Sequence, residues 1–202
     1  ERLGRLQAEL RRPQPHQPFG MAVSQRIIAL LIRTVGRGQR AGFRGLRRAA
    51  LAPTIPTAKG KAVLIDCGAN AECTVEYLLQ FAYLGSYYAQ KVLGVENPRI
   101  GLLNIGAEES KGDTLRRETY QKLKEAGEAG HFNFTGNIEA KEAIKGGCDV
   151  IVTDGFSGNI MLKSIEGVGS FAGSALKIMF KKNLLTKLAA LLVMPGLNAF
   201  KD

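Results

Sequence analysis

The chain has no tryptophan, two histidines and three cysteines in 202 residues. Cys67, Cys73 and Cys148 are an odd number with no CxxC pair. They offer no disulfide framework and fit free thiols in a reducing, cytoplasmic compartment. His16 and His131 lie far apart in sequence, so there is no His/Cys zinc pattern and no metal is expected. A GxGxxG fingerprint is missing as well, and so are paired metal carboxylates, which argues against a decarboxylating or nicotinamide-dependent dehydrogenase. No cofactor is expected. No apolar run approaches the ~20 residues of a membrane-spanning helix.

Acidic residues are scarce in one region. Residues 1–50 hold eleven Arg and no Lys against Glu1 and Glu9, and no acid stands between Glu9 and Asp66. That stretch carries +9 of the chain's net +10. The remainder is nearly balanced, with seventeen basic against sixteen acidic residues. Two units of different character follow: an Arg-rich segment over 1–50 and an α/β unit over 51–202. The basic segment invites a nucleic-acid reading. Phe43 is the one aromatic among residues 21–50, so base stacking has little support. A solvated tail and no nucleic-acid partner are expected. Residues 22–35 read as a short helix, and Ala52–Thr57 as extended chain because each proline restricts itself and its predecessor.

Regular alternation begins at Lys61. Ala62–Ile65, Arg99–Ile105, His131–Thr135 and Asp149–Thr153 read as strands. Helices are expected from the Thr74 cap to Leu93 with a stop at Gly94, from Asp113 or Thr114 to a stop at Gly127, from Asn137 through Ala143, and from Ile160 to about Phe180. The β-α repeat predicts a mostly parallel sheet covered on both faces, a three-layer α/β/α Rossmann-like fold. Leu184, Leu185, Leu188, Leu191 and Leu192 then recur at helical spacing opposite Lys181, Lys182 and Lys187, with Pro195-Gly196 closing the helix. The leucine stripe reads as a core or dimer face.

Three strand-to-helix junctions stand out. They are Asp66-Cys67-Gly68-Ala69-Asn70, Asn104-Ile105-Gly106-Ala107-Glu108-Glu109-Ser110-Lys111-Gly112, and Asp154-Gly155-Phe156-Ser157-Gly158-Asn159. Each sets a small polar or acidic residue beside a glycine where a strand ends. In an open parallel sheet that edge binds ligands, and backbone N–H groups there suit an anion.

These junctions resemble those of the phosphate acyltransferases of bacterial phospholipid synthesis. The resemblance covers about Leu51 to Asp202 and includes LAPTIPT, DCGANAEC, NIGAEESKG, GNIEAKE, DGFSGN and KLAALL. It implies transfer of a fatty acyl group from acyl carrier protein to inorganic phosphate, giving an acyl phosphate. It also implies a homodimer with peripheral membrane contact. The family's glycine-rich Ser-Ala-Gly-Asn-Thr-Gly-Ala loop is replaced here by Val23–Leu30, and its C-terminal Tyr-Gly-Gly segment is not found, so a fragment of a larger enzyme is expected.

Phosphate attacks a thioester without a covalent protein intermediate once it is held and aligned, so positioning and oxyanion donors are what the protein supplies. No catalytic residue is singled out. Gly68, Gly106, Gly155 and Gly158 would admit close approach of backbone to ligand. Asn70, Asn104 and Asn159 offer both donors and acceptors. Lys111 offsets phosphate charge, while Asp66, Glu108 and Asp154 orient donors. Competing readings are a phosphate acetyltransferase-like enzyme on the same fold, an inactive remnant and a basic nucleic-acid-binding protein.

Overall fold

The computed structural model describes residues 48–199. The expected helix over 22–35, the Arg-rich segment up to position 47 and the side chain of Leu191 lie outside the described residues. The element order is β1 (Thr54–Thr57), β2 (Gly60–Ile65), α1 (Val75–Lys91), β3 (Arg99–Leu103), α2 (Thr114–Glu128), β4 (Asn133–Ile138), α3 (Ala140–Ile144), β5 (Val150–Val152), α4 (Gly155–Lys181) and α5 (Leu184–Ala199). The strands form one sheet in the order β1-β2-β5-β3-β4. All neighbours are parallel except β1, which pairs antiparallel with β2 through Ile55↔Ala62. The fold is mixed α/β with a mostly parallel sheet.

Alternation along the strands divides the core. Val63, Ile65, Ile100, Leu102, Val150 and Val152 face α1 and α2, where Leu78, Phe81, Ala82 and Leu123 close the layer. Leu64 and Ile151 face the other way, against Ile55, Ala143, Met161 and Leu162. Each large apolar side chain buried there contributes about 1.5–3 kcal/mol. Gly85 brings α1 onto the sheet, since a Cβ at that position would stand 2.4 Å from Val150 Cγ1.

Local chemistry sets the helix ends. Thr74 Oγ1 accepts from the Tyr77 N–H at 3.4 Å, and Asp113 Oδ1 from the Arg116 N–H at 2.9 Å. Gly94 (φ +74°) and Gly130 (φ +78°) follow the ends of α1 and α2 in the left-handed region that favours glycine.

Several elements differ from expectation; the strands expected over Arg99–Ile105 and Asp149–Thr153 are shorter, Arg99–Leu103 and Val150–Val152. The extended Thr54–Thr57 is a paired strand, because Pro56 occupies an edge position that needs no donated bond. Gly127 lies inside α2, and Gly130 follows its end instead. The strand expected over His131–Thr135 runs from Asn133 to Ile138, so Asn137 belongs to β4 and does not open a helix. α4 starts at Gly155, five residues before Ile160, since Asp154 caps it. Pro195-Gly196 does not close α5, which continues to Ala199; proline forfeits one hydrogen bond while its fixed φ remains helical.

Parallel pairing brings the C-terminal ends of β2, β5 and β3 side by side. The junction after β5 therefore lies between the junctions after β2 and β3. α4 enters the molecule only at its start: Gly155, Gly158, Met161 and Leu162 are buried, while Val168, Phe171, Ile178 and Met179 are exposed.

Candidate active site

The first junction is folded around a carboxylate. Asp66 is fully buried. Its Oδ1 accepts from the N–H groups of Leu51 (2.8 Å) and Ala69 (3.2 Å). Its Oδ2 accepts from Asn70 N–H (2.7 Å) and Asn70 Nδ2 (2.9 Å). Four donors meet the needs of a buried charge, and the loop takes its shape from them. Asn70 Nδ2 also donates to the Ala49 carbonyl at 2.8 Å. The Asn70 carbonyl accepts from Gly155 N–H at 2.8 Å, which ties the first junction to the first turn of α4.

That tie gives Gly155 and Gly158 a packing reason. A Cβ on Gly155 would stand 2.5 Å from Asn70 O, and one on Gly158 would stand 1.9 Å from Asp66 O. Both glycines let the helix approach the loop. Gly68 is exposed at φ +125°, and an added Cβ there would sit 3.9 Å from the Asn159 side chain. Gly68 and the exposed Asn159 thus meet across two junctions at the surface of the edge.

The second junction is clamped from inside. Asn104 Oδ1 accepts from Ile105 N–H (2.8 Å), and its Nδ2 donates to Lys111 O (3.0 Å). Asn137 Nδ2 donates to Glu108 O at 2.8 Å. Glu109 accepts from Lys124 Nζ (3.0 Å) and Tyr120 OH (2.9 Å). The Lys124 and Tyr120 hydrogen bonds hold its carboxyl below the usual range. Above the clamp, a Cβ on Gly106 would meet Glu108 Oε2 at 2.8 Å and Lys111 Cγ at 2.9 Å. The Glu108 and Lys111 side chains therefore lie over the Gly106 backbone, and both residues are exposed. Beside them Ile105 is 82% exposed.

A residue that sequence reasoning passed over joins the second and third junctions. Arg116, in the first turn of α2, reaches Asp113 Oδ2 through Nη1 at 2.7 Å. Through Nη2 it reaches Asp154 Oδ2 and, at 3.0 Å, Ser157 Oγ. Asp154 caps α4 by accepting from Ser157 N–H at 2.8 Å, and Ser157 Oγ donates to it at 2.9 Å. One local signal was available. A helix N-terminus disfavours cations, yet α2 places Arg116 and Arg117 in its first turn, where it has no acid.

The edge thus has two levels. Asp66, Asn70, Asn104, Asp154, Gly155 and Gly158 build the scaffold, while Gly68, Glu108, Lys111 and Asn159 reach solvent above it. Among the described residues no three His, Cys, Asp or Glu side chains group to hold a metal. Beside the exposed Glu108 carboxylate the available groups are amides, backbone N–H groups, Lys111 and the guanidinium of Arg116, donors that suit an oxyanion. Burial pushes the thiols up, Cys67 and Cys148 to about 12 and Cys73 to about 11. None is a thiolate nucleophile near neutral pH. A cavity of about 460 Å³ lies elsewhere, between α2 and β4, lined by Tyr120, Lys124, Phe132 and Phe134 among others.

The architecture places the molecule in the fold class of the phosphotransacetylases. The EutD phosphotransacetylase from Staphylococcus aureus matches 63% of this chain, and 44% of its own, with a TM-score of 0.51. At 18% identity the likeness is one of fold. Sequence narrows the class. The family model described as "Fatty acid synthesis protein" matches residues 31–202, and the chain belongs to that family. It is 54% identical over 159 residues to the phosphate acyltransferase of Alkaliphilus oremlandii, covering 79% of this chain and 46% of the relative. Identity to the phosphate acyltransferase of Staphylococcus haemolyticus is 49%, over 78% of this chain and 48% of the relative. For that of Aquifex aeolicus it is 47%, over 77% and 45%. The chain spans just under half the length of these curated relatives.

Proposed function

We propose that the chain serves the transfer of a fatty acyl group from acyl carrier protein to inorganic phosphate, with the C-terminal edge of the sheet as its site. The observation that carries this reading is the convergence of the three junctions on one edge, in a chain whose relatives are named phosphate acyltransferases. Phosphate oxygen attacks the thioester carbonyl, the C–S bond breaks, and the carrier leaves as its thiol with a proton from phosphate or solvent. The protein aligns the phosphate and stabilises the tetrahedral oxyanion. On this reading Lys111, Asn159 and the backbone at Gly68, all exposed, do that work, while Gly106 is buried beneath Glu108 and Lys111. Asp66, Asn70, Asn104, Asp154, Gly155 and Gly158 hold them in place, and the Glu108 side chain lies beside Lys111 over Gly106.

The same reading assigns α4 and α5 to contact outside the chain, with a second copy and with the membrane surface. Leu184, Leu185, Leu188 and Leu192 of α5 are exposed, Leu192 by 84%. From 167 to 201 the chain holds five lysines and no acid. Apolar area beside lysines suits anionic headgroups. No helix among the described residues is long and apolar enough to cross a membrane. A cytoplasmic protein that touches the bilayer peripherally is the location we assign.

The reading is tested by mixing the chain with long-chain acyl carrier protein and phosphate and trapping acyl phosphate with hydroxylamine. Hydroxamate above a no-protein control is expected. None, while a full-length relative works in the same tube, rejects the activity for this chain. The phosphotransacetylase likeness favours a second reading, acetyl transfer. Activity with acetyl-coenzyme A exceeding that with the long-chain donor would establish it.

A further inference from the structure

Arg116 is held unequally at its two ends. Nη2 is anchored inside, on Asp154, whose side chain is 10% exposed, and on Ser157 Oγ. Nη1 rests on Asp113, whose side chain is 58% exposed, next to Arg116 in the same helical turn. Exposed pairs of that kind hold weakly, so the outer end is free to exchange partners while the inner end keeps the guanidinium in place. The side chain keeps 17% of its surface exposed, between the second and third junctions. A guanidinium with one end fixed and the other exchangeable offers an oxyanion a charge-assisted hydrogen bond from a preset position. The position also breaks a local rule: a cation in the first turn opposes the helix dipole, and such breaks mark functional places.

We propose that Arg116 is the phosphate receptor of this edge. Nη2 stays on Asp154 and Ser157, while Nη1 exchanges Asp113 for an oxygen of inorganic phosphate. Asp113 is then a competitor that occupies the fork until phosphate arrives. The assignment rests on the acyltransferase reading for the identity of the anion, and binding tests it independently of turnover.

Binding of inorganic phosphate to the chain, followed by calorimetry, separates the roles. Arg116→Gln is expected to weaken binding roughly tenfold or more, and Arg116→Lys by less. Asp113→Asn, which still caps α2, is expected to tighten it about threefold by removing the competitor. A merely structural arginine gives no such gain. Unchanged affinity in a folded Arg116→Gln chain overturns the proposal. So does unchanged or weaker binding in Asp113→Asn, which keeps the test open if the arginine variants fail to fold. Arg116-dependent phosphate binding without acyl phosphate rejects the acyltransferase reading and leaves this assignment standing. Acyl transfer with an unaltered KM for phosphate in Arg116→Gln does the reverse.

Discussion

At the N-terminal edge of the sheet Arg99 grips Asp149; at the C-terminal edge Arg116 grips Asp154. Arg99 spends all three guanidinium nitrogens on one turn. Its Nε and Nη2 reach Asp149 at 3.0 and 2.9 Å, while Nη1 and Nη2 reach the carbonyls of Gly147 and Gly146 at 3.0 and 3.1 Å. Burial works against the charged form of Asp149, but the Arg99 hydrogen bonds and charge outweigh it and hold the carboxyl below the usual range. Arg116 divides itself between two helices, and one of its partners faces solvent. The first pair closes a turn. The second pair holds α2 to α4 and leaves one end replaceable. Residue type alone therefore does not separate a fastener from a site; what each donor is spent on does.

The sharpest test of the contrast is steric. Gly158→Ala drives a Cβ into Asp66 O at the C-terminal edge. It should cost about 3 kcal/mol or more, the upper range for overpacking, read as a fall in the urea midpoint or loss of a cooperative transition. An unchanged midpoint would mean that the loop and α4 do not meet as described.

Arg99→Ala comes next, at about 1–2 kcal/mol, because its hydrogen bonds are charge-assisted but partly solvated. Asp149 adds a pH signature. Its lowered pKa contributes stability that is present above the unfolded carboxylate value, ~3.9, and is lost as pH falls through the folded value. Arg99→Ala should flatten that acid limb in a denaturation series. A limb of unchanged steepness counts against the N-terminal fastener.

Smaller still is Gly167→Ala on the bare part of α4, where a Cβ would meet nothing within 4 Å. It should stabilise by about 0.5–1 kcal/mol through lost chain entropy in the unfolded state. A lower thermal midpoint would show that the second copy proposed for α4 packs directly on Gly167.

The least effect concerns the thiols. With folded values near 11 and 12, they favour the fold below the unfolded thiol pKa, about 8.5. That contribution fades as pH climbs through the folded values. Native-state labelling with a disulfide reagent at pH 8 should be slow, with Cys73, the half-buried thiol, reacting before Cys67 and Cys148. Fast labelling of Cys67 would contradict its burial.

Local signals were legible in the sequence. The Thr74 and Asp113 caps, the stop at Gly94 and the order of strands and helices follow from neighbours within a turn or two. Contacts between distant residues were not. Gly155 and Gly158 count against a helix by propensity; they open one because Asp66 and Asn70, far back in the chain, press against that turn. Thr54–Thr57 is a strand because β2 pairs with it. Arg116 was missed because Asp154 and Ser157 lie 38 and 41 residues away. The three junctions could be recognised from their residues. That the junction after β5 sits between the other two follows from strand order, which no single junction encodes.

The central claim, that the C-terminal edge receives the phosphate, is tested most directly by residue-resolved NMR of the chain titrated with inorganic phosphate. Shifts are expected to concentrate in 66–70, 104–116 and 154–159, leaving Arg99 and 146–149 still. Shifts centred on Arg99 and Asp149, or on the lysines of α4 and α5 with the three junctions unmoved, would contradict it.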